Sequence, residues 1–329
     1  MINVAVLGCG GIARAMAKTL RGMAERDGSV CLYAAAARDE ARAQAFAREE
    51  GFQKAYGSYE EMLADDNVQL VYVATPHSHH AEHVKLCLEH GRAVLCEKAF
   101  AGNARQAKEM LAMAREKNIL CTEAIWTRYM PSRKIIDDLI AEGAIGEPVM
   151  LTANLGYSIA HVERMIRPEL AGGALLDLGI YVLTFASMVF GDDVERMESS
   201  VVMFDTGVDR RETINLYYRD GKSAELTAVC DCATDRRCVV YGTKGCLTVD
   251  NVNNPQVIKL YSDPTSDTPT RVIRVPEQIT GYEYEVYSCI RALEQGEIEC
   301  PEMPHAQTLH MMEVMDALRQ RWGMVYPFD

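Results

Sequence analysis

Lys98, Asp177 and Tyr181 are the side chains whose types and settings suit acid–base chemistry. Lys98 lies in VLCEKAFAGNARQA, just past an apolar run and just before a helical pattern. Ligands of open α/β sheets gather beyond the carboxyl ends of the strands, which puts this ammonium where a reaction can use it. Most lysines are solvated surface charges, but this one follows an apolar strand and has the acid Glu97 beside it. Asp177 and Tyr181 stand four apart in AGGALLDLGIY, so a helix places them on one face. That face is otherwise apolar, and a buried carboxylate needs a partner. The bland reading is an Asp and a Tyr satisfied within a core; the chemical one points both into a cleft between two halves. A phenol, with a reference pKa of about 10, is a poor base. A neighbouring ammonium stabilises the phenolate and lowers that value, and Lys98 is the candidate, with Asp177 orienting one or both.

The segment TPHSHHAEH follows another strand end and brings Thr75, His77 and His80 to the same crevice. His79 and His83 are expected to cap the helix or face solvent. No carboxylate or third ligand falls at a suitable spacing, so no metal site is expected. Cys230, Cys232 and Cys238 alternate within an expected strand, Cys230 and Cys232 sharing a face, but no paired CxxC completes a zinc site.

Residues 5–17 read AVLGCGGIARAMA: an apolar run, three glycines within four positions, then a helical pattern. Gly8, Gly10, Gly11, Ile12 and Ala13 form the turn from the first strand into the first helix. Glycine lets backbone approach an anion, and a helix N-terminus offers unpaired N–H groups. A tight turn without ligand needs the same residues, but the position at the head of a βαβ unit is that of a dinucleotide fingerprint. The second strand ends in Ala35-Ala36-Ala37, then Arg38, with Arg42 four residues on. Two guanidiniums on one helical turn suit a ribose 2′-phosphate, favouring NADP over NAD. Both could also be solvated helix residues, and Asp39 could be a displaced ribose acceptor or a helix N-cap.

These groups need a scaffold, and the chain supplies one. It has 329 residues, enough for two domains. The first, residues 1–125, alternates short apolar runs with amphipathic stretches, the pattern of a Rossmann-type, doubly wound parallel sheet. The second, 126–329, has an apolar helix at 173–191, seven strand-like runs with turn signals at RDGK and GTKG, and two closing helices. That reads as an α+β domain with a large, mostly antiparallel open sheet, whose uncovered face suits a homodimer or higher homo-oligomer. The fold class is thus α/β. A net charge of −13 argues against nucleic-acid binding. No apolar stretch is read as long enough to span a membrane, and eleven scattered cysteines and no visible secretory signal suit the cytoplasm.

The order GCGGIA, TPHSHH, CEKA, EAIWTRYMP and GGALLDLGIY resembles the Gfo/Idh/MocA oxidoreductase family over essentially the whole chain, nearest its dihydrodiol and NADP-dependent xylose dehydrogenase branch. The resemblance implies oxidation or reduction of hydroxyl and carbonyl groups of sugars and related small molecules. Lys98 matches the lysine of the family's Glu-Lys-Pro motif, preceded by Glu97. Asp177 matches its acid, and Tyr181 the tyrosine of this branch. Arg38 and Arg42 match basic residues for the 2′-phosphate. Trp126 matches an aromatic of the substrate pocket, with Arg128 beside it. Two positions depart from the pattern. Ala99 replaces the motif proline, which loosens the turn presenting Lys98. Leu155 replaces a phenylalanine of the substrate pocket, which leans toward a sugar-like substrate.

The mechanism these readings imply is hydride transfer at the nicotinamide, beside Thr75, His77 and Lys98, with Tyr181 taking the hydroxyl proton and Lys98 stabilising the charge. A cofactor-binding regulator without turnover, and an NAD-dependent lyase or hydrolase using transient oxidation, are the rival readings.

Overall fold

A computed structural model describes residues 1–329. The chain divides into two compact units: Met1–Tyr129 with Gln278–Glu313, and Met130–Glu277 with Val314–Asp329. The sequence reading leaves everything after 125 in the second half, whereas residues 278–313 return to the first unit. Their helix α8 (Glu283–Gln295) packs on α1 (Gly11–Asp27), and Ile279, in the segment before it, sits over Gly22, a contact between distant segments that no local pattern announces.

The first unit is built on β1 (Ile2–Leu7), β2 (Val30–Ala36), β3 (Lys54–Tyr56), β4 (Leu70–Val73), β5 (Ala93–Glu97) and β6 (Cys121–Ala124). They form one parallel sheet in the order β3-β2-β1-β4-β5-β6. The strands are nearly all apolar because helices cover both faces of such a sheet. Between them run α2 (Glu40–Glu50), α3 (Tyr59–Leu63), α4 (His77–Glu89) and α5 (Ala104–Lys117). α2 starts where Asp39 caps it and stops at Gly51, which takes a left-handed conformation. The sheet order reverses between β1 and β4, and that switch point is where open α/β sheets receive a ligand. The short strand β3 carries no sequence signal strong enough to announce it.

The second unit starts with α6 (Pro131–Ala141) and β7 (Pro148–Gly156). After a π-helical turn, Leu175–Gly179, come α7 (Ile180–Phe190) and the strands β8 (Val194–Met203), β9 (Asp209–Tyr218), β10 (Ser223–Val229), β11 (Cys238–Gly242), β12 (Gly245–Val249), β13 (Val257–Tyr261) and β14 (Arg271–Arg274). Their order is β14-β13-β12-β11-β7-β10-β9-β8. Every neighbouring pair is antiparallel except β7 with β10, whose hydrogen-bonded registers run the same way. α7 covers the middle of one face, packing on β7 and β10. Its Ile180, Val182, Leu183 and Phe185 are buried, each contributing about 1.5–3 kcal/mol. The opposite face carries alternating polar residues such as Thr152, Glu225, Asn215 and Glu198, aligned across four strands.

Two expectations are corrected here. Pro168–Phe190 is long and apolar enough to cross a membrane, but 83% of its most apolar window is buried inside the protein, so it is a core helix. β10 ends at Val229, so Cys230 and Cys232 share no strand face: Cys230 is buried with its thiol on the Arg210 carbonyl at 3.1 Å, and Cys232 is exposed. The last helix, α9 (His305–Trp322), belongs to the first unit up to Glu313 and to the second from Val314.

Candidate active site

β1 ends at Leu7 and α1 begins at Gly11. Gly8, at φ +101°, occupies a region that L side chains avoid; a Cβ there would lie 3.0 Å from Thr75 Cγ2 and 3.1 Å from the Ala74 carbonyl. The turn is therefore pressed on the end of β4. A Cβ on Gly11 would meet nothing within 4 Å, and Gly10 caps α1 without a side chain. Open space before an uncapped helix start is what a diphosphate needs. Burial pushes the Cys9 thiol up to about 11, against the lowering by Arg42 and Arg14, so it adds no negative charge to the turn.

At the end of β2 stand Arg38 and Arg42, both exposed and neither in an ion pair. Arg42 Nη2 donates to the Cys9 carbonyl at 3.0 Å, which holds this guanidinium against the glycine turn. Asp39 caps α2, accepting from the Arg42 backbone N–H at 2.8 Å. The strand end thus presents two cations and an acid already in use.

The strand-end segment after β5 is held from several sides. Glu97 is buried; it accepts from the Tyr72 hydroxyl and, at 3.2 Å, from the Lys98 N–H. His77 Nε2 lies 3.1 Å from the Lys98 carbonyl and His80 Nδ1 2.8 Å from that of Ala99. Phe100 N–H donates to Glu123 at 3.0 Å. The Lys98–Ala99 peptide is cis. Where Ala99 stands in place of the motif proline, side chains from β4, α4, β5 and β6 hold the turn. Burial pushes the Glu123 carboxyl up to about 7, against the Phe100 N–H and the Thr308 hydroxyl.

His80 is also corrected. It is fully buried, with Nε2 2.8 Å from the Thr75 carbonyl as well, so it ties two strand ends together and offers no face to a ligand. Burial lowers it to about 4, outweighing the carbonyls that favour its charged form. His83 does not face solvent; it is buried with Nδ1 2.9 Å from the Thr75 hydroxyl, and burial lowers it to about 4. His77 is buried and Thr75 and Lys98 are partly exposed. Trp126 stacks on Tyr282 with centroids 4.3 Å apart, and Arg128 Nε donates to the Glu302 carbonyl at 2.9 Å.

In the second unit, Asp177 and Tyr181 are 5% and 6% exposed. Asp177 lies in the π-helical turn rather than in a regular α-helix, and Tyr181 lies in the first turn of α7. Such single π turns are frequent at functional sites. Arg164 Nη2 donates to Asp177 Oδ2 at 3.0 Å, so this buried carboxylate has a guanidinium within its own unit. Arg164 lies thirteen residues earlier, outside any local spacing rule, and Glu123 reads only as a polar residue in a short strand. Sequence reasoning missed both. Leu155 is corrected as a substrate contact: it is 0% exposed on the inner face of β7 and belongs to the core.

A strand–glycine turn–helix at the switch point of a parallel sheet, with a strand-end lysine, defines a dinucleotide-dependent oxidoreductase. Residues 2–124 match the Gfo/Idh/MocA oxidoreductase family, NAD-binding Rossmann fold, and 134–248 match the Gfo/Idh/MocA C-terminal domain. The chain is 34% identical over 301 residues to trans-1,2-dihydrobenzene-1,2-diol dehydrogenase of Mus musculus, covering 91% of this chain and 90% of that one. It is 35% identical over 304 residues to the Sus scrofa protein of the same name, at the same coverage. Its fold matches that of KijD10, a 3-ketoreductase from Actinomadura kijaniata in complex with NADP and TDP-benzene. The TM-score is 0.85, the identity 26%, and 97% of each chain is covered. Levoglucosan dehydrogenase in complex with NADH and L-sorbose shares the fold at TM-score 0.86 and 18% identity, over 98% of this chain and 97% of that one. The chain belongs to the Gfo/Idh/MocA oxidoreductase family, with an NAD(P)-binding Rossmann domain.

Proposed function

We propose that the protein is an NADP-dependent dehydrogenase moving hydride between the nicotinamide and a hydroxyl or carbonyl carbon of a sugar, polyol or diol. The observation that carries this reading is the fixed presentation of Lys98, whose peptide group and the two after it are bound by buried side chains. A surface lysine needs no such support; a reacting one does. Arg38 and Arg42, neither in an ion pair, with Asp39 used as a cap, support a 2′-phosphate. The dihydrodiol dehydrogenases and the NADP-bound ketoreductase named above support the substrate class.

When bound, the nicotinamide exchanges the hydride. The chain's own residues manage the proton and the charge. Tyr181 takes the hydroxyl proton as the alcohol is oxidised and returns it in the reverse direction. The Lys98 ammonium stabilises the oxygen while it is charged, and Asp177 orients the group taking the proton. The glycine turn holds the diphosphate, with Thr75, His77 and Glu97 framing the cofactor side. The Trp126–Tyr282 stack offers an apolar wall to the carbon face of a sugar or diol, with Arg128 beside it. In balance, R₂CHOH and NADP⁺ give R₂C=O, NADPH and H⁺.

The test mixes the purified protein with NADP⁺ or NAD⁺ and a panel of aldoses, inositols and vicinal diols. Net reduced cofactor, faster with NADP⁺, is the expected result. A cleaved product without net reduced cofactor would instead mark a lyase or hydrolase, and cofactor binding without turnover on any substrate a regulator. The polar outer face of the eight-stranded sheet suits self-association, and we assign a homodimer or higher oligomer through it, to be checked by light scattering. Eleven free cysteines accord with a cytoplasmic enzyme.

A further inference from the structure

Two carboxyl groups in the second unit have no part in the chemistry above. Asp209 opens β9 and Glu212 follows three residues later, at 0% and 2% exposure. Strict strand alternation would send positions three apart to opposite faces. The pairing of β8 with β9 skips at this point: Val202 faces Arg211 and Met203 faces Asp209, so Arg210 is the extra residue of a bulge. Bulges re-aim side chains and are frequent beside active sites. This one turns both carboxyls inward.

They meet the backbone around the turn that carries Asp177. Asp209 Oδ2 accepts from the Leu175 N–H, the first residue of the π-helical turn, at 2.5 Å. A Cβ on Gly173 would lie 2.0 Å from Asp209 Oδ1, and one on Gly179 would lie 2.7 Å from Glu212 Oε1. Gly173, two residues before the turn, and Gly179, its last residue, are thus each pressed onto a carboxyl group. The charged and titratable groups around the pair are engaged elsewhere. Arg210 pairs with Asp231 at 2.5 Å, Arg319 with Asp329 at 2.7 Å and Asp316 at 2.5 Å. The Tyr326 hydroxyl donates to the Gly172 carbonyl at 2.6 Å, and the Cys230 thiol to the Arg210 carbonyl at 3.1 Å. No cation therefore neutralises the pair, and Asp209 Oδ1 and both Glu212 oxygens are buried with no hydrogen-bond partner, the setting in which two carboxyls share one proton. Burial raises Asp209 to about 6 and holds Glu212 well above the carboxylate range, Asp209 adding to the latter.

We propose that Asp209 and Glu212 form a one-proton clamp that fixes the π-helical turn, and through it sets the position of Asp177 and Tyr181. They are positioning residues, and the proposal rests on the reading of Asp177 and Tyr181 as acid–base residues. Glu212 donates the shared proton to Asp209, whose other oxygen is then free to take the Leu175 N–H.

The test compares Asp209→Ala and Glu212→Ala with Asp209→Asn and Glu212→Gln, all beside Tyr181→Phe. The alanine variants should lose about 10- to 100-fold in kcat, the scale of a small misplacement of reacting groups, with KM for NADP⁺ little changed. The amide variants keep size and hydrogen bonding and should restore turnover to within about threefold of wild type. Equal losses in alanine and amide variants, or alanine variants with lower Tm but wild-type kcat, would overturn the clamp. Should the alanine variants not fold, the pH profile of Glu212→Gln decides. It should lack an alkaline loss of kcat that the wild type shows as the second proton leaves, and superimposable profiles would overturn the proposal. A Tyr181→Phe enzyme with full turnover would sink the site reading itself, whereas loss in Tyr181→Phe alone would sink only the clamp.

Discussion

Arg164 reaches across thirteen residues to place a guanidinium nitrogen 3.0 Å from the buried carboxylate of Asp177. Asp177 is almost wholly removed from water, while the Arg164 side chain remains 44% exposed. The pair therefore sits between the buried and surface extremes: the acid needs its partner, and solvent screens the partner's charge. Arg164→Leu should lower stability by about 1 kcal/mol, near the upper end for a screened pair, as read by urea unfolding. Turnover should fall further than stability does, with Arg164→Lys recovering part of it. A variant with unchanged kcat would show that the ion pair serves packing alone.

The proposed discrimination between cofactors rests on Arg38 and Arg42. Each charge-assisted hydrogen bond of this kind contributes about 1.5–3 kcal/mol. Arg38→Ala should thus weaken NADPH by about ten- to a hundredfold, with little effect on NADH. Arg42→Ala should weaken both, because its guanidinium also braces the Cys9 carbonyl in the glycine turn. Fluorescence titration with the two reduced cofactors measures this. Equal losses for NADPH and NADH in Arg38→Ala would reject the 2′-phosphate role.

Tyr181→Phe removes one hydroxyl from a buried position and should cost about 10²–10⁴ in turnover, the range for a lost acid–base group. Lys98→Met should cost as much. If both act on one proton and one oxygen, the double variant will lose far less than the product of the two effects. Multiplying losses in steady-state kinetics would mean that the two groups act independently. Cofactor binding should survive Tyr181→Phe.

Glu123 gives a pH signature of the first unit. Its carboxyl is raised from 4.5 to about 7, chiefly by burial. Between these values the native state holds a proton that the unfolded chain has released, so stability falls as pH rises through this window. The slope from this group is about 1.4 kcal/mol per pH unit. His80 and His83, lowered to about 4, act with the opposite sign: the unfolded chain binds their protons first as pH falls below 6.5. Glu123→Gln should therefore remove only the falling component, and its stability relative to wild type should rise with pH from about 4.5 to 7. A pH-independent difference in Tm would contradict the buried, protonated Glu123. The same variant keeps an acceptor for the Phe100 N–H, so Lys98 should stay in place.

What the sequence alone determined is local. Alternating apolar runs and amphipathic stretches set the parallel sheet, because period and turn chemistry act within one element and its neighbour. The glycine turn, Lys98 past β5, and Asp177 with Tyr181 four apart were legible for the same reason. What only the tertiary structure decided depends on contacts between distant segments. Arg164 partners Asp177, His80 locks two strand ends, and Asp209 and Glu212 turn inward at a bulge set by pairing with β8. The return of residues 278–313 to the first unit and the parallel pairing of β7 with β10 are of the same kind. Burial and partner choice belong to the folded chain as a whole, so a residue's type announces what chemistry it can do, and packing decides whether it is free to do it.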